Sequence, residues 1–274
     1  MRRLRLLWII IGCVVVLSSA DHVEAQACSA PDPVCAAAKN VVAISGFEPV
    51  GSAVMLGDGM LVTNRHMVAD QQTVIVALPN GARAQADVIP TSYAGDLVLL
   101  KTNDLDPDEP LLISRPILNG VLYVIGFDRG REAIRVYKPG RMIVDLAETP
   151  LARLHMDAPA LPGNSGGAVV DALGNLVGIV ASGGEGRNEA IPALEIERVK
   201  QSSGPAFKDA SVLIGRAYRE CVDTLKNVGA VRKPLPDVLT NNVTRSCVAN
   251  NNSQLMDVAG KAFGQRRNID GSLK

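Results

Sequence analysis

The sequence places one serine among closely spaced glycines. Residues 161–170 read LPGNSGGAVV, so Ser165 follows Gly163 and Asn164 and lies just before a β-branched apolar run. Glycine loses more backbone entropy on folding than any other residue, so this clustering indicates positive φ angles or close approach of another group. A serine on such a loop can expose its hydroxyl beside converging backbone N–H groups, as a nucleophile with an oxyanion hole requires. The same string also fits a plain glycine-rich turn, so the rest of the chain must supply a base.

A histidine and an aspartate elsewhere in the chain are candidates for that base and its partner. A nucleophilic serine needs a base within hydrogen-bond reach and a carboxylate that fixes the tautomer of the base. His66 ends an apolar run in MLVTNRHMVAD, and Asp96 directly precedes the apolar run of GDLVLLK. An acid drawn into the interior there needs a partner, although a simple strand-start residue is the plainer interpretation. His155 is interpreted as structural, as a lone histidine usually is.

The composition is that of an ordinary soluble globular protein of one or two domains. Of its 274 residues, 47% are hydrophobic and 3% aromatic, and the formal net charge is zero. Because the chain has no basic excess, nothing in its charge favours nucleic acid as a partner.

The first 27 residues predict a secretory signal peptide. Three early arginines precede an apolar run over 6–17, and small residues with cleavage sites ending at Ala25 or Ala27 follow. The run is shorter than the ~20 apolar residues of a membrane span, so none is expected in the mature chain. A lipoprotein box at Cys13 ranks second, since the apolar run continues beyond it. The mature protein is therefore expected in the periplasm or outside the cell.

Four cysteines remain after the leader: Cys28, Cys35, Cys221 and Cys247. An even number in a chain bound for an oxidising compartment predicts two disulfides. Of the three possible connectivities, Cys28–Cys35 with Cys221–Cys247 is favoured, because each pair is local and a cysteine-free stretch separates them. Metal binding is the alternative, but no CxxC spacing or histidine companion supports it, so no metal is expected.

Short apolar runs separated by turn residues fill the chain from about 41 to 198, as in TVIVALP, DLVLLKT and LYVIGF. Many short strands at such spacing predict an all-β sandwich or pair of barrels. The proline-rich and acidic segment 103–119 would connect two halves, about 41–110 and 115–199. Residues 28–40 precede them as an N-terminal arm.

Helical spacing replaces strand alternation after about residue 200. Val212, Ala217, Cys221 and Leu225 recur near helical spacing, and SQLMDVAGKAF repeats the pattern beyond a loop. Residues 200–274 are therefore expected to form a helical extension of two helices, stapled by Cys221–Cys247, that packs against or caps the protein.

Three motifs together resemble one protein family. TNRHMV, GDLVLLK and PGNSGG, in the order His, Asp, Ser, resemble the chymotrypsin-fold (trypsin-like) serine peptidases, for which that order is known. Within the fold, DAPALPGNSGG and EAIPALEIERV are most similar to the bacterial HtrA/Do-like branch. The resemblance covers about 41–199 and implies two six-stranded antiparallel β-barrels.

The resemblance also assigns roles to residues. It implies that Ser165 is the nucleophile, His66 the general base and Asp96 the orienting acid, with the oxyanion hole at Gly163, Asn164 and Ser165. Met67 stands where animal trypsin-like enzymes carry a cysteine, so the disulfide there is absent. The tail lacks the length and strand pattern of the PDZ module that usually follows in HtrA/Do proteins, which puts peptide-triggered regulation and cage assembly in doubt.

By the same resemblance, seven residues line the pocket for the side chain that precedes the cut bond: Pro159, Ala160, Leu161, Val180, Ala181, Ser182 and Gly183. No acid lies among them, so a basic side chain would be buried without a partner. Acidic side chains should also bind poorly unless Arg187 bends in. An apolar pocket distinguishes each methylene by only about 1–3 kcal/mol, so the sequence predicts broad cleavage after Ala, Val, Ile or Leu.

The sequence thus predicts an exported serine endopeptidase that cleaves proteins or peptides through an acyl-enzyme and needs no cofactor. The alternative is a catalytically silent relative that binds peptides; a missing triad member would mark it, and none is missing. An α/β-hydrolase would need G-x-S-x-G between strand and helix, which GNSGG does not match.

Overall fold

Strands dominate the fold. The computed structural model describes residues 28–143, 153–182 and 188–228, except the side chains of 182 and 224–228. The strands of these ranges are β1 (Val41–Ser45), β2 (Gly51–Gly57), β3 (Met60–Thr63), β4 (Thr73–Ala77), β5 (Arg83–Val88), β6 (Val98–Lys101), β7 (Val121–Asp128), β8 (Ala133–Val136), β9 (Gly140–Arg141), β10 (Leu154–Met156), β11 (Ala168–Asp171), β12 (Leu176–Ser182) and β13 (Asn188–Pro192).

Helices lie at the edges of this strand-rich region. The helices of the described ranges are α1 (Asp32–Ala37), α2 (Arg65–Val68), α3 (Glu195–Gln201) and α4 (Lys208–Val228), with 3-10 turns at Ala38–Asn40 and Pro205–Phe207. None of them is both long and apolar enough to cross a membrane.

The first six strands close into a barrel in the order β1-β2-β3-β6-β5-β4, each neighbour antiparallel. Strand β4 shows why its sequence forms a half-buried strand: Val74 and Val76 face the core while Thr73, Ile75 and Ala77 face out. This barrel confirms the first half of the sequence expectation.

The remaining strands form a second sheet in the order β10-β13-β12-β11-β7-β8, with β9 also pairing with β7. The predicted second six-stranded barrel is not confirmed. An isolated bridge between Met142 and Met156 connects the end of β9 to β10, and the N–H groups of Ile143 and Asp157 donate to the carbonyls of His155 and Arg141, so the two edges of the sheet meet there.

The two sheets share a core. One cluster of buried side chains joins Val54, Val62 and Leu99 of the barrel to Ile125 and Ile179 of the second sheet. At about 25 cal/mol per Å² of buried apolar surface, such a shared cluster stabilises the arrangement of the halves as well as each half. The two sheets are therefore held together by packing of their shared core.

Helix α4 follows the sheets and only partly matches its predicted face. Ser211, Gly215, Tyr218 and Val222 are buried with Cys221, whereas Val212 and Ala217 are half-buried. The expectation counted apolar residues, but the buried stripe follows i, i+4, i+7 through a serine and a glycine. The second predicted helix and Leu225 lie outside the described side chains.

The cysteines of the described ranges are disulfide-bonded. Cys28 and Cys35 are joined, with their Cα atoms 5.9 Å apart. Cys221 is also disulfide-bonded, and because Cys247 lies outside the described residues, the Cys221–Cys247 pairing stays a prediction. The signal peptide lies outside the described residues as well.

Candidate active site

His66 and Asp96 are brought together by a pair of hydrogen bonds. Asp96 Oδ2 lies 2.7 Å from His66 Nδ1, and Asp96 Oδ1 accepts the backbone N–H of His66 at 2.8 Å. Both residues are buried, with 4% of His66 and none of Asp96 exposed. Since a carboxylate only accepts, Nδ1 carries the proton and Nε2 is left as the basic nitrogen.

Local structure fixes the two segments that carry this pair. His66 lies in the short helix α2, which begins just after β3 ends at Thr63. Asn64 Nδ2 donates to the backbone carbonyl of Asp96 at 3.1 Å, so the residue at the start of α2 also holds the aspartate segment. Within the described ranges, the hydrogen bonds of the buried carboxylate thus go to His66, which supplies the partner that a buried charge requires.

The serine loop begins with a tight turn. The N–H of Asn164 donates to the carbonyl of Leu161 at 2.9 Å, and Gly163 has φ +105. With Pro162 at the second position and positive φ at the third, this is the type II pattern, in which glycine avoids the steric penalty of a side chain. A Cβ on Gly163 would also lie 2.6 Å from the Phe127 carbonyl oxygen.

Some backbone N–H groups of this loop are hydrogen-bonded and others are not. Those of Asn164, Gly166 and Gly167 donate to backbone carbonyls. Those of Gly163 and Ser165 donate to nothing in the described parts of the chain. Buried N–H groups are almost always paired. The unpaired N–H groups of Gly163 and of half-buried Ser165 are two residues apart, so together they can donate to one anionic acceptor.

The side chain of Asn164 holds the serine loop in place through hydrogen bonds. It is fully buried, and its Oδ1 accepts the N–H of Leu161 at 2.7 Å. Its Nδ2 donates to the Phe127 carbonyl and to Tyr137 Oη, both at 3.1 Å. Burial raises the pKa of Tyr137, the largest of several effects on it. All three hydrogen-bond partners of the Asn164 side chain thus belong to the protein itself.

The serine loop rests on the first barrel, close to Met67, the residue after His66. Ser52 of β2 donates its N–H to the Ser165 carbonyl at 2.8 Å, and its hydroxyl donates to the Gly163 carbonyl at 2.8 Å. A Cβ on Gly51 would lie 2.3 Å from Met67 Cε and 3.2 Å from the Ser165 carbonyl oxygen. The residue after His66 and the serine loop therefore meet over the same glycine.

Glycine is also required directly after the serine. Gly166 has φ +83, and a Cβ there would lie 2.0 Å from the Ser52 carbonyl oxygen and 2.3 Å from Thr63 Oγ1. The close approach of the loop to β2 and β3 therefore depends on this missing side chain. The glycine clustering in the sequence reflects positive φ and close packing together.

The predicted pocket residues divide between two faces. Ala160 and Val180 pack in one buried cluster of the second sheet, whereas Ala181 packs in the core shared by both sheets. Ala181 can therefore line a pocket only with its backbone. Leu161 is 49% exposed, and Pro159 is half-buried. The backbone of Ser182 ends β12, and Gly183 and Arg187 lie outside the described residues.

Sequence reasoning missed Asn188, which holds Ala160, one of the residues predicted to line the pocket. Asn188 is only 7% exposed, and its Oδ1 accepts the N–H of Ala160 at 3.2 Å. The contact joins β13 to the segment before the serine, 28 residues away. No local sequence pattern could have revealed this contact.

His155, which is expected to be structural, contacts the neighbouring strand. Its Nδ1 lies 3.5 Å from Oε1 of Glu189.

Within the described ranges, no group of three or more His, Cys, Asp or Glu side chains is placed to hold a metal ion. The described residues of this site offer the hydroxyl of Ser165, the imidazole of His66, the buried carboxylate of Asp96 and the N–H groups of Gly163 and Ser165.

Comparison with known proteins finds a similar domain and similar proteins. Residues 51–179 match the trypsin-like peptidase domain. The serine endoprotease DegS of Salmonella typhimurium is 27% identical over an alignment of 215 residues that covers 71% of this chain and 59% of DegS. A probable periplasmic DegP-like serine endoprotease of Pseudomonas fulva is 33% identical over 57% of this chain and 36% of its own.

A solved structure agrees with these relatives. The HtrA-type protease AlgW, solved with a tripeptide, is 31% identical with a TM-score of 0.52, and the match covers 62% of this chain and 61% of AlgW. The chain spans less than two thirds of the length of each of these three proteins. Residues 51–179 thus match a trypsin-like peptidase domain, and the chain is similar to the HtrA/DegS-like serine endoproteases.

Proposed function

We propose that this protein is an exported serine endopeptidase in which Ser165 is the nucleophile, His66 the general base and Asp96 the orienting acid. The observation that carries the proposal is the pair of unpaired N–H donors at Gly163 and Ser165, on a loop that approaches Met67, the residue after His66, over Gly51. The periplasmic DegP-like relative supports export, as does the leader in the sequence.

The reaction begins with attack on the peptide carbonyl. Ser165 Oγ forms a bond to the carbonyl carbon while His66 Nε2 takes the Oγ proton. Asp96 stabilises the resulting imidazolium through the 2.7 Å contact at Nδ1 and does not take the proton itself. The carbonyl oxygen becomes an oxyanion that accepts from the N–H groups of Gly163 and Ser165, whose positions are fixed before reaction.

The intermediate then divides into an acyl-enzyme and an amine. The C–N bond breaks as His66 gives its proton to the leaving nitrogen, which leaves an ester on Ser165 Oγ. A water molecule attacks the ester, His66 takes a proton from that water, and the proton returns to Oγ as the C–O bond to the serine breaks. The cycle needs no group beyond the side chains and N–H donors named here.

Cleavage by the wild-type protein tests the function and its specificity together. The pocket walls are apolar at Ala160 and Val180, and Asn188 beside them is neutral, so charged side chains would be buried without a partner. A peptide-library digest read by mass spectrometry should show cuts after Ala, Val, Ile and Leu, with ratios of roughly 10–200 between neighbours in size. A dominant cut after Arg, Lys or Glu would overturn the pocket assignment, and no cuts at all would overturn the function.

Asn164 gives a prediction about activation. It stands where trypsin-like zymogens carry an aspartate that pairs with a newly freed N-terminus, but here the amide bonds to Leu161, Phe127 and Tyr137. We expect Asn164→Asp to lower kcat/KM by roughly 10-fold or more, because a carboxylate oxygen would face the Phe127 carbonyl and leave it unpaired.

Asn80→Asp is the matched control for that change. Asn80 lies in an exposed turn and uses only its Oδ1, which accepts the Ala82 N–H at 2.9 Å and which aspartate retains.

Enzyme that starts a few residues before Gln26 should be as active as enzyme that starts there. Dependence of activity on one new N-terminus, or full activity of Asn164→Asp, would contradict this account.

A further inference from the structure

Helix α4 packs against both chain segments that carry the His66–Asp96 pair. Ser211, Gly215 and Tyr218 are spaced i, i+4, i+7 and therefore share one face of the helix, and all three are buried. This helix lies beyond residues 51–179, which match the peptidase domain.

The contact with the histidine segment is made by Arg65. Arg65, which immediately precedes His66, is 2% exposed, and its Nη2 donates to the Ser211 carbonyl and, at 3.1 Å, to Ser211 Oγ. Gly215 allows this approach, because a Cβ there would lie 2.6 Å from the Ala69 carbonyl oxygen and 2.9 Å from Arg65 Nη2. Helix α4 thus lies directly on α2.

The contact with the aspartate segment is made by Tyr218. Its ring is fully buried, and its hydroxyl donates to the Ala94 carbonyl at 3.3 Å, two residues before Asp96. The chain just before α4 holds the start of the same segment: the Ser202 carbonyl accepts from Ser92 N and Thr91 Oγ1, both at 2.9 Å. One face of α4 therefore reaches both halves of the pair.

Burial of the Arg65 guanidinium carries a free-energy cost. Desolvation by burial lowers its pKa to about 10, and its Nε and Nη1 have no hydrogen-bond partner in the described parts of the chain. An apolar side chain of similar length would avoid both penalties. Packing alone therefore does not explain an arginine at the residue next to His66.

We propose that α4 is a positioning element of the active site, in which Arg65 and Ser211 fix the histidine segment and Tyr218 fixes the aspartate segment. The two contacts hold His66 and Asp96 at their 2.7 Å separation. Arg65 and Tyr218 are positioning residues, since neither touches the reacting atoms. The inference rests on the proposed peptidase function, because it concerns the same pair.

Tyr218→Phe tests the proposal with little change of shape. It removes one hydroxyl and leaves the ring packed, and Tyr123→Phe, in the core shared by the sheets, is the matched control. A misplacement of about 1 Å can cost about 10²-fold in rate, so loss of one contact is expected to lower kcat roughly 10-fold with KM unchanged. Tyr123→Phe should keep full kcat.

A second pair of variants separates the two faces of α4. Gly215→Ala places a methyl against the Ala69 carbonyl and should lower kcat at least as much as Tyr218→Phe. Leu213→Ala changes a side chain that is 67% exposed on the other face and should leave kcat unchanged. If Tyr218→Phe and Gly215→Ala lower the melting temperature but keep full kcat, α4 is merely structural and the proposal is wrong.

A measurement without substrate keeps this inference separate from the proposed function. In a Ser165→Ala background, NMR can follow the His66 Nδ1 proton, which a short bond to a carboxylate moves far downfield. We expect Tyr218→Phe to move that resonance upfield or to speed its exchange, and Tyr123→Phe to leave it in place. An unchanged resonance would overturn the positioning role, whereas an inactive wild type would overturn only the peptidase function.

Discussion

Ser165→Ala is expected to lower kcat roughly 10⁶-fold, with binding of peptides largely retained. The serine, His66 and Asp96 act as one unit, so removal of the nucleophile removes nearly all of their shared contribution. The loop itself should survive, because its turn is held by the Asn164 side chain and by Ser52 rather than by the serine hydroxyl. Steady-state cleavage of a peptide found in the library digest gives the measurement.

The double variant Ser165→Ala with His66→Ala tests whether these residues cooperate. Once the nucleophile is gone, the base has no proton to take, so the second change should lower kcat by little more. Independent losses that multiply, or cleavage that persists in both variants at the wild-type rate, would show that the triad assignment is wrong.

Asp96→Asn is expected to lower kcat roughly 10⁴-fold while the fold is kept. The amide oxygen can still accept the His66 N–H that Oδ1 accepts now. The amide nitrogen at the Oδ2 position would donate to Nδ1, so Nε2 would carry the proton and could not act as a base. At 1.36 kcal/mol per tenfold, the loss corresponds to about 5 kcal/mol of transition-state stabilisation.

Asp87→Asn is the matched control for Asp96→Asn, because it makes the same chemical change on an exposed position of β5. Its kcat and KM should equal those of the wild type, and circular dichroism should show both variants folded. An Asp96→Asn enzyme with full kcat would mean that the 2.7 Å contact does not set the tautomer of His66.

The sequence predicts the candidate catalytic residues better than the residues that hold them in place. Ser165, His66 and Asp96 stand in short local motifs, so residue type and neighbours mark them as the candidate triad. Asn188 supports Ala160 through a contact across 28 positions, and Ser52 holds the serine loop across 111. Such contacts depend on strand register, which one sequence does not reveal.

The prediction of the tail shows a second reason for failure. Counting apolar residues favoured Val212 and Ala217, while the face that packs includes Ser211 and Gly215. A serine is buried there because it accepts from Arg65, and a glycine because a backbone carbonyl approaches it. Polarity and size alone do not encode those partners, since both lie more than 140 positions away in the chain.

Labelling of the purified mature protein by a fluorophosphonate tests the central claim most directly. The reagent phosphonylates a serine hydroxyl only where a base and an oxyanion site activate it, so it reports Ser165, His66 and the unpaired N–H donors at once. Peptide mapping should find one adduct, on Ser165, that is lost in Ser165→Ala and greatly slowed in His66→Ala. No labelling, or labelling on another serine, would contradict the account.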